Sequence, residues 1–235
     1  MPDGQIIVTG ASRGIGAAIA LDLAGRGYAV VGLSRSGDVA AGRGIACDMT
    51  SEAAVRECFA KVAAGGAIAG LINNAGMYLA SPSAELRTEE FEQVMALNAT
   101  SVMVAAREVY PYLKADGGGT IVNIGSFFDK MGVAGNLAYC ASKAAVGAIT
   151  RCLAVEWAGD GIQVLNVAPG YIETDLNRDF LTNDKVAAWI KKRVPAGRPG
   201  APEEVARLIG AILDERIPFL TGETIYLDGG HGINH

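Results

Sequence analysis

Short apolar runs rich in β-branched residues alternate with alanine-rich stretches of helical length along the whole chain. This alternation is typical of βαβ units, in which a helix crosses from one strand of a parallel sheet to the next. Most of the runs are continuously apolar, as expected for strands that helices cover on both faces. The sequence therefore predicts an α/β fold, with one doubly wound parallel sheet in a single domain of residues 1–235. The candidate strands are Gln5–Thr9, Ala29–Ser34, Gly44–Cys47, Gly70–Asn73, Thr120–Gly125, Ile162–Ala168 and Thr224–Leu227.

Two of the predicted helices are unusually apolar. Thr88–Lys114 and Tyr139–Trp157 carry alanine, valine and methionine around most of their circumference. One side of each helix must face the sheet. The apolar residues on the other side therefore predict contact with further subunits in a homodimer or homotetramer. Pro111 is expected to bend or divide the first of these helices, because proline lacks an amide donor. The other candidate helices are Gly14–Arg26, Ser51–Ala63, Thr182–Arg193 and Pro202–Leu213.

Composition and charge argue against several classes of function. Half of the 235 residues are apolar and the net charge is −5, which argues against disorder and against nucleic acid as a partner. No apolar stretch is long enough to cross a bilayer, and the first strand begins too early for a signal peptide. The four cysteines lack CxxC spacing and are expected to be buried, reduced thiols. Together these observations predict a cytoplasmic protein with no membrane partner.

A glycine-rich turn follows the first predicted strand. Residues 9–16 read TGASRGIG and open the first helix. The glycines permit a tight turn and close approach of the backbone to a pyrophosphate, while the helix N-terminus offers free amide groups to the anion. The spacing GxxxGxG differs from the better-known GxGxxG fingerprint. The strand–turn–helix context nevertheless predicts a nucleotide site, the alternative being a plain turn.

Tyr139 and Lys143 are four residues apart and share one face of any helix that contains them. An ammonium beside a phenol favours the phenolate, so the pair is expected to lower the tyrosine pKa towards neutral values. Ser126, at the end of a predicted strand, could hold the carbonyl oxygen that accepts the proton. Taken alone, the tyrosine and lysine could equally be a surface pair. The three residues together predict acid–base chemistry on a carbonyl.

Several further motifs, in order along residues 6–230, resemble those of the short-chain dehydrogenase/reductase family. They are NNAG at 73–76, PGYIET at 169–174 and LDGG at 227–230. The resemblance implies a Rossmann-type sheet of seven strands, and hydride transfer between NAD(H) or NADP(H) and a carbonyl/alcohol pair. The catalytic tetrad that it implies is Asn98, Ser126, Tyr139 and Lys143.

The resemblance also implies separate roles for these residues. Tyr139 would exchange a proton with the substrate oxygen, Ser126 would fix the carbonyl, and Lys143 would hold the nicotinamide ribose. Asn98 would retain a water molecule linked to the lysine, or would simply be a buried amide at a helix kink. The residues expected to contact the coenzyme are Gly10, Ser12, Arg13, Gly14, Ile15, Gly16, Ser34, Arg35, Asp48, Met49, Asn74, Ala75, Gly76, Tyr139, Lys143, Pro169, Gly170, Ile172 and Thr174.

The end of the second predicted strand bears on the choice of coenzyme. An NAD(H) enzyme usually has an acid there that binds the ribose 2′-hydroxyl, whereas this chain has SRS at 34–36. A guanidinium can bind a 2′-phosphate with two hydrogen bonds, and Arg13 could reach the group that Arg35 binds. The sequence therefore predicts NADP(H), with NAD(H) as the alternative. By resemblance Asp48 and Met49 would hold the adenine, and Asp48 could also serve as a turn or helix-cap acid.

Two segments, residues 127–136 and 171–193, lie beyond the carboxyl ends of the strands and are expected to form the substrate pocket. Residues 171–193 carry apolar side chains at helical spacing and predict a lid that excludes water, although such residues usually only pack. The basic run at 191–193 would suit an anionic substrate or an acyl carrier protein, but a charge run is more often a solvated face. The expected substrate contacts are Ser126, Phe127, Phe128, Tyr139, Tyr171, Leu176 and Phe180.

These observations favour an NADP(H)-dependent carbonyl reductase or alcohol dehydrogenase that acts on a small molecule. The main alternative within the family is a 3-oxoacyl-[acyl-carrier-protein] reductase. A non-catalytic redox sensor is less favoured, because such sensors usually lack the tyrosine or the lysine. His231 and His235 have no neighbours at metal-ligand spacing, so no metal site is expected, and the tail is interpreted as a terminus at a subunit boundary.

Overall fold

A single sheet runs through the protein, whose computed structural model describes residues 4–175, 177–181 and 183–234. Its strands are β1 (Gln5–Thr9), β2 (Ala29–Ser34), β3 (Arg43–Ala46), β4 (Ile68–Asn73), β5 (Gly119–Ile124), β6 (Ile162–Pro169) and β7 (Thr224–Leu227). All neighbouring strands are parallel, in the order β3–β2–β1–β4–β5–β6–β7. The predicted doubly wound, seven-stranded sheet is confirmed, and no strand bound differs from its prediction by more than two residues.

Helices connect the strands and cover the sheet. The helices are α1 (Gly14–Gly25), α2 (Glu52–Ala63), α3 (Thr88–Met95), α4 (Ser101–Ala115), α5 (Leu137–Trp157), α6 (Arg178–Leu181), α7 (Asp184–Arg193) and α8 (Pro202–Glu215). The predicted start of the seventh helix, Thr182, lies outside the described residues. In the described chain Asn183 caps α7, because its side chain accepts a hydrogen bond from the amide of Lys185 at 3.1 Å.

The predicted helix 88–114 is interrupted, but not at Pro111. A π-helical turn, Ala96–Thr100, separates α3 from α4, and the proline lies within α4. Val109 and Leu113, on either side of the proline, are fully buried. Their packing keeps the helix continuous although the proline removes one backbone hydrogen bond. The expectation that Pro111 divides the helix was therefore wrong.

The hydrophobic core lies on both faces of the sheet. On one face α1 and α8 pack together, with Ile19 and Ile209 fully buried. On the other face α2, α4 and α5 bury Phe59 and Val109. Each such side chain contributes about 1.5–3 kcal/mol relative to an exposed one. Cover on both faces explains why most of the strands are apolar throughout.

The outward sides of α4 and α5 carry apolar residues, as the sequence predicts. Val155 is 84% exposed, and Met103 and Leu137 are also exposed. Cys152 precedes Val155 by three residues on the same side of α5 and is exposed too, contrary to the expectation of four buried thiols. Nowhere in the described ranges is a helix both long enough and apolar enough to cross a bilayer.

Candidate active site

The glycine turn follows β1, the strand at which the chain changes direction across the sheet: β2 and β3 lie on one side of β1, and β4 to β7 lie on the other. Strand β1 lies between β2 and β4, so the turns after β1 and β4 open on one crevice. Gly10 and Gly14 have φ values of +67° and +56°, a region that favours glycine. A Cβ atom on Gly16 would lie 2.2 Å from the carbonyl oxygen of Gly10. Within the described chain Arg13, the N-cap of α1, makes no side-chain capping bond, which leaves the first helical amides for an anion.

Thr9 and Asn74 hold the turn in this shape. The Asn74 side chain donates to the carbonyl oxygens of Thr9 and Gly10, at 3.0 and 3.2 Å. The amides of Asn74 and Ala75 donate to the Thr9 hydroxyl at 2.9 and 3.0 Å. The NNAG segment therefore braces the turn from the neighbouring strand end. The crevice has the shape that a dinucleotide pyrophosphate requires, because glycine and bracing leave the backbone accessible.

A concavity of about 520 Å³ adjoins the turn and is positively charged. Arg13 and Arg35 are both exposed, and none of the salt bridges between described residues involves either of them. Two guanidinium groups at one opening suit a phosphate group rather than a neutral ribose hydroxyl. The concavity is lined by Ser12, Arg13, Ser34, Arg35 and Ser36.

Asp48 lies in a tight turn after β3. Its carboxylate accepts from the amide and hydroxyl of Thr50 at 2.9 and 2.7 Å. These hydrogen bonds, with a smaller contribution from the Arg35 charge, lower the pKa of Asp48. The N-cap of α2 is Ser51, so of the two alternatives for Asp48 the structure has the turn acid and not the helix cap.

Three of the predicted coenzyme contacts have side chains that pack into the protein. Met49 and Ile172 are each 6% exposed, and Ile15 packs against the core beneath the glycine turn. Their backbone groups, rather than their side chains, are therefore the parts suited to contact a coenzyme.

The segment after β6 faces the glycine turn. β6 ends at Pro169, and a Cβ atom on Gly170 would lie 2.7 Å from the Cα atom of Asp228, so the position has no room for a side chain. A Cβ atom built on Gly14 lies 3.5 Å from the Thr174 methyl group. The predicted nicotinamide segment and the predicted pyrophosphate turn therefore border the same crevice.

Ser126, Tyr139 and Lys143 come together beyond the end of β5. Ser126 is two residues beyond the end of β5 and is 6% exposed. The tyrosine and lysine lie one turn apart near the start of α5, with the lysine Nζ 5.6 Å from the centre of the phenol ring. The same Nζ donates to the carbonyl oxygen of Ile124 at 2.8 Å. The sequence prediction of a hydroxyl, a phenol and an amine in one place agrees with this arrangement.

Burial dominates the electrostatics of this group, although part of the Tyr139 ring is accessible. Burial raises the pKa of Tyr139 to about 12, and outweighs the Ser126 hydroxyl, which acts in the opposite direction. Burial also lowers the pKa of Lys143 to about 8. The expectation that the lysine brings the tyrosine pKa towards neutrality is therefore wrong for this arrangement, because a low-dielectric site disfavours each charged form. Tyr139 is a protonated phenol at neutral pH.

Asn98 lies in the π-helical turn and is almost completely buried. Its side chain accepts from the amide of Met77 at 2.8 Å, and donates to the Met77 carbonyl at 2.9 Å and the Ser142 hydroxyl at 3.1 Å. Asn98 is thus a buried, hydrogen-bonded amide at a helix irregularity, and its role in retaining a water molecule stays a prediction. By these bonds Asn98 ties the loop after β4 to the segment of α5 that carries Lys143.

Aromatic rings form the wall of the pocket above Tyr139. Phe128 contacts the Tyr139 ring at 5.9 Å between centroids, and Phe127 contacts Tyr171 at 5.2 Å. Sequence reasoning missed Tyr78, which is 60% exposed and meets the Tyr139 ring edge-on at 5.3 Å. The available signal was an aromatic residue just after the NNAG motif, at the carboxyl end of β4.

The predicted lid segment contains α6 and α7 and borders a cavity of about 310 Å³. Leu176 lies outside the described residues, as does the side chain of Phe180. The basic run at 191–193 is exposed at the end of α7. The cavity is lined by Tyr171, Lys185, Val186, Trp189 and Ile190.

Sequence reasoning also missed the place of His231, since the tail was assigned to a subunit boundary. His231 begins a 3₁₀ turn, His231–Ile233, and its ring contacts those of Phe127 and Tyr171. His235 lies outside the described residues. Elsewhere along the described chain, no three His, Cys, Asp or Glu residues are grouped so that they could hold a metal ion.

Known proteins with similar sequences and structures are reductases and dehydrogenases. A family model described as Enoyl-(Acyl carrier protein) reductase matches residues 10–232. The chain is 36% identical over 239 residues to the 3-oxoacyl-[acyl-carrier-protein] reductase FabG of Escherichia coli (strain K12), with 97% of each chain covered. It is 38% identical to the glucose 1-dehydrogenase of Gluconobacter oxydans (strain 621H), with 96% of this chain and 91% of that protein covered.

A solved structure shares the whole architecture. The gluconate 5-dehydrogenase from Burkholderia cenocepacia J2315, in complex with NADP and tartrate, superimposes with a TM-score of 0.92 at 30% identity. The match covers 100% of this chain and 97% of that one. The two proteins therefore share the fold over their full length.

Proposed function

The chain belongs to the short-chain dehydrogenase/reductase family, and we propose that Tyr139 is the acid and base of its reaction. It is an oxidoreductase that interconverts a carbonyl and an alcohol with NADP(H) as coenzyme. One observation carries the proposal for Tyr139. The phenol, the Ser126 hydroxyl and the Lys143 amine lie together beyond the carboxyl end of β5, at the same edge of the parallel sheet as the glycine turn after β1, where open α/β sheets bind ligands.

The residues of the crevice fit NADP(H), which when bound supplies or accepts the hydride at the reacting carbon. The close approach of Gly16 to the backbone of Gly10 leaves a backbone cradle for the pyrophosphate at the start of α1. Arg13 and Arg35 would bind the 2′-phosphate. Thr174, which borders the cradle, would bind the carboxamide.

In the direction of reduction, Tyr139 donates its proton to the substrate oxygen. A pKa of about 12 keeps the phenol protonated at neutral pH, as a proton donor requires. Ser126 donates a hydrogen bond to the same oxygen and fixes it within reach of the phenol. Lys143, held by the Ile124 carbonyl, places a positive charge beside the phenolate that proton transfer leaves behind.

The direct test is Tyr139→Phe, which removes only the phenol oxygen. We expect the rate of NADPH-dependent reduction to fall by about 10²–10⁴-fold, the usual contribution of a general acid. Coenzyme affinity, measured by quenching of tryptophan fluorescence, should stay within about threefold. Tyr112→Phe is the matched control, because Tyr112 lies in α4, away from the pocket. Full turnover by Tyr139→Phe would overturn the assignment.

Reduction of 3-oxoacyl groups on an acyl carrier protein is a second candidate. Its support is the likeness to the carrier-protein reductase and the exposed basic run at 191–193, beside the lid cavity. A negatively charged carrier would meet these residues at the pocket entrance. Comparing carrier-bound with free 3-oxoacyl thioesters tests the idea, because only the carrier-bound substrate should lose efficiency when Lys191 and Lys192 are changed to glutamate.

A homodimer or homotetramer built on α4 and α5 is part of the same proposal. Its support is the exposed apolar surface of Met103, Leu137 and Val155. An exposed side chain such as Val155 recovers about 1.5–3 kcal/mol when a second subunit covers it.

A further inference from the structure

The C-terminal tail is held in place at the edge of the substrate pocket. The Asp228 carboxylate accepts hydrogen bonds from the amides of Gly230 and Gly232 at 2.9 and 2.8 Å. The amide of His231 donates to the Asp228 carbonyl at 3.2 Å, and the Asn234 side chain donates to the last residue of α7 at 2.9 Å. The backbone that carries His231 is therefore fixed on both sides of the residue.

The imidazole of His231 is part of the aromatic wall. Its centroid lies 5.1 Å from that of Phe127, 5.7 Å from that of Tyr171 and 5.6 Å from that of Trp189. The three rings come from three separate segments: the loop after β5, the loop after β6, and helix α7. Contacts from three directions restrict rotation of the imidazole and orient its nitrogen atoms.

One of those nitrogen atoms has no partner. The Nδ1 atom of His231 is buried, and no described residue is within hydrogen-bonding geometry of it. A buried polar atom without a partner costs free energy, so a native structure that keeps one needs an explanation. Tyr171 and Trp189, two of the rings that contact the imidazole, also line the cavity beside α7, so a molecule bound in that cavity can supply the missing partner.

The charge state of the imidazole restricts what that partner can be. Burial lowers the pKa of His231, and the Arg193 charge adds to this, whereas the Asp228 charge opposes it. A neutral imidazole has one donor and one acceptor nitrogen, which suits a hydroxyl group that can fill either role. A carboxylate only accepts hydrogen bonds, so it could pair with Nδ1 in one tautomer alone, and a hydrocarbon chain would leave Nδ1 unpaired.

We propose that His231 is a specificity residue that forms a hydrogen bond with a hydroxyl group of the substrate, away from the carbon that reacts. The proposal rests on the proposed function and adds a substrate class to it, namely hydroxylated carbonyl compounds and their alcohols. Phe127 follows Ser126 directly, and Phe128 contacts Tyr139. Both phenylalanine rings are buried, but Tyr171 contacts them and His231 and also lines the cavity beside α7. A substrate whose carbonyl is bound by Ser126 would therefore extend past Tyr171 to the imidazole.

The test uses methyl ketones of about four to six carbons, each paired with its terminally hydroxylated counterpart, because a site that binds a hydroxyl discriminates against the analogue lacking it. For at least one chain length we expect wild-type kcat/KM with NADPH to favour the hydroxylated member by about tenfold or more. Two variants separate polarity from packing. His231→Phe keeps an aromatic ring without a polar atom, and His231→Asn keeps a polar group without the ring.

We expect His231→Phe to bring the ratio of kcat/KM for the hydroxylated ketone to that for its plain counterpart down to about one, and His231→Asn to retain part of the preference. A preference that survives in His231→Phe would overturn the role of His231, as would a wild type that reduces both members of every pair equally. Failure of the wild type to reduce any of the ketones, with either NADPH or NADH, would contradict the proposed function itself.

Discussion

Replacement of Lys143 by methionine should make the folded protein more stable and, at the same time, inactive. Lys143 is buried, and its single hydrogen bond in the described structure is to the carbonyl oxygen of Ile124. No carboxylate of the described chain forms a salt bridge with it. Methionine has a similar length and no charge, so it removes the buried ammonium and retains most of the packing.

The size of the effect follows from the lysine pKa. Burial lowers that pKa from 10.5 to about 8. Since each unit corresponds to about 1.4 kcal/mol, the charged lysine destabilises the folded state by roughly 3 kcal/mol at about pH 7. Loss of the hydrogen bond to the Ile124 carbonyl lowers the free energy of unfolding by about 1 kcal/mol and so offsets part of this gain. We therefore expect Lys143→Met to raise the free energy of unfolding by about 2 kcal/mol.

The sign of the pH dependence provides the decisive comparison. The folded pKa is below the unfolded one, so the unfolded chain binds more protons between these two values and the wild type gains stability as pH rises. The advantage of the variant should therefore shrink by about 2 kcal/mol between about pH 7 and about pH 9.5. Urea unfolding at one fixed protein concentration measures both quantities. Lys191→Met, at an exposed position of α7, is the control and should show no such change.

A variant that is less stable than the wild type at about pH 7, or whose advantage does not depend on pH, would refute this reasoning. Either result would mean that the ammonium is well solvated or paired in the folded protein. Loss of activity alone would not distinguish these cases, because Lys143 is also proposed to stabilise the phenolate of Tyr139.

Two further outcomes follow from particular contacts. Gly16→Ala places a methyl group against the Gly10 carbonyl, so the dissociation constant for NADPH should rise by at least about 100-fold in a fluorescence titration, whereas Gly25→Ala, which meets open space, should bind normally; equal affinity of the two variants would contradict the proposed cradle. Val155→Glu should reduce the assembly mass measured by analytical ultracentrifugation, because it puts a charge on the proposed interface of α5; an unchanged mass would exclude this helix from the interface.

Much of the fold could be predicted because its signals are local. Most strands of the sheet are apolar runs that are bounded by glycine or polar residues. The turn at 9–16 was recognisable because glycine is required there by positive φ and by close backbone contact. The position of the break between α3 and α4 could not be predicted from local sequence signals. It depends on Asn98, whose partners Met77 and Ser142 are far away in sequence.

The residues of the site could be predicted from the sequence, but the directions of their pKa shifts could not. Spacing alone places Tyr139 and Lys143 on one helical face. How far they are removed from water depends on rings such as Tyr78 and Phe128, which other segments bring to the pocket. Desolvation therefore could not be weighed against attraction beforehand, and the direction of the tyrosine pKa was predicted wrongly. His231 escaped notice for the same reason, since only the folded chain brings the tail to the pocket.

Burial raises the pKa of Tyr139 and lowers that of Lys143, and these opposite shifts show how the low dielectric constant of the site can assist the reaction. At neutral pH the pair consists of an ammonium and a neutral phenol, so no ion pair exists before the reaction. Proton donation creates the phenolate beside the ammonium, and at the 5.6 Å measured between Nζ and the ring centre their attraction is about 3 kcal/mol at an effective dielectric constant of about 20. This gain is similar in size to the cost of burying Lys143, but it arises only as the proton leaves Tyr139. The folded state thus bears a destabilisation that is offset during the reaction, which is the condition for an interaction to accelerate a chemical step rather than tighten binding.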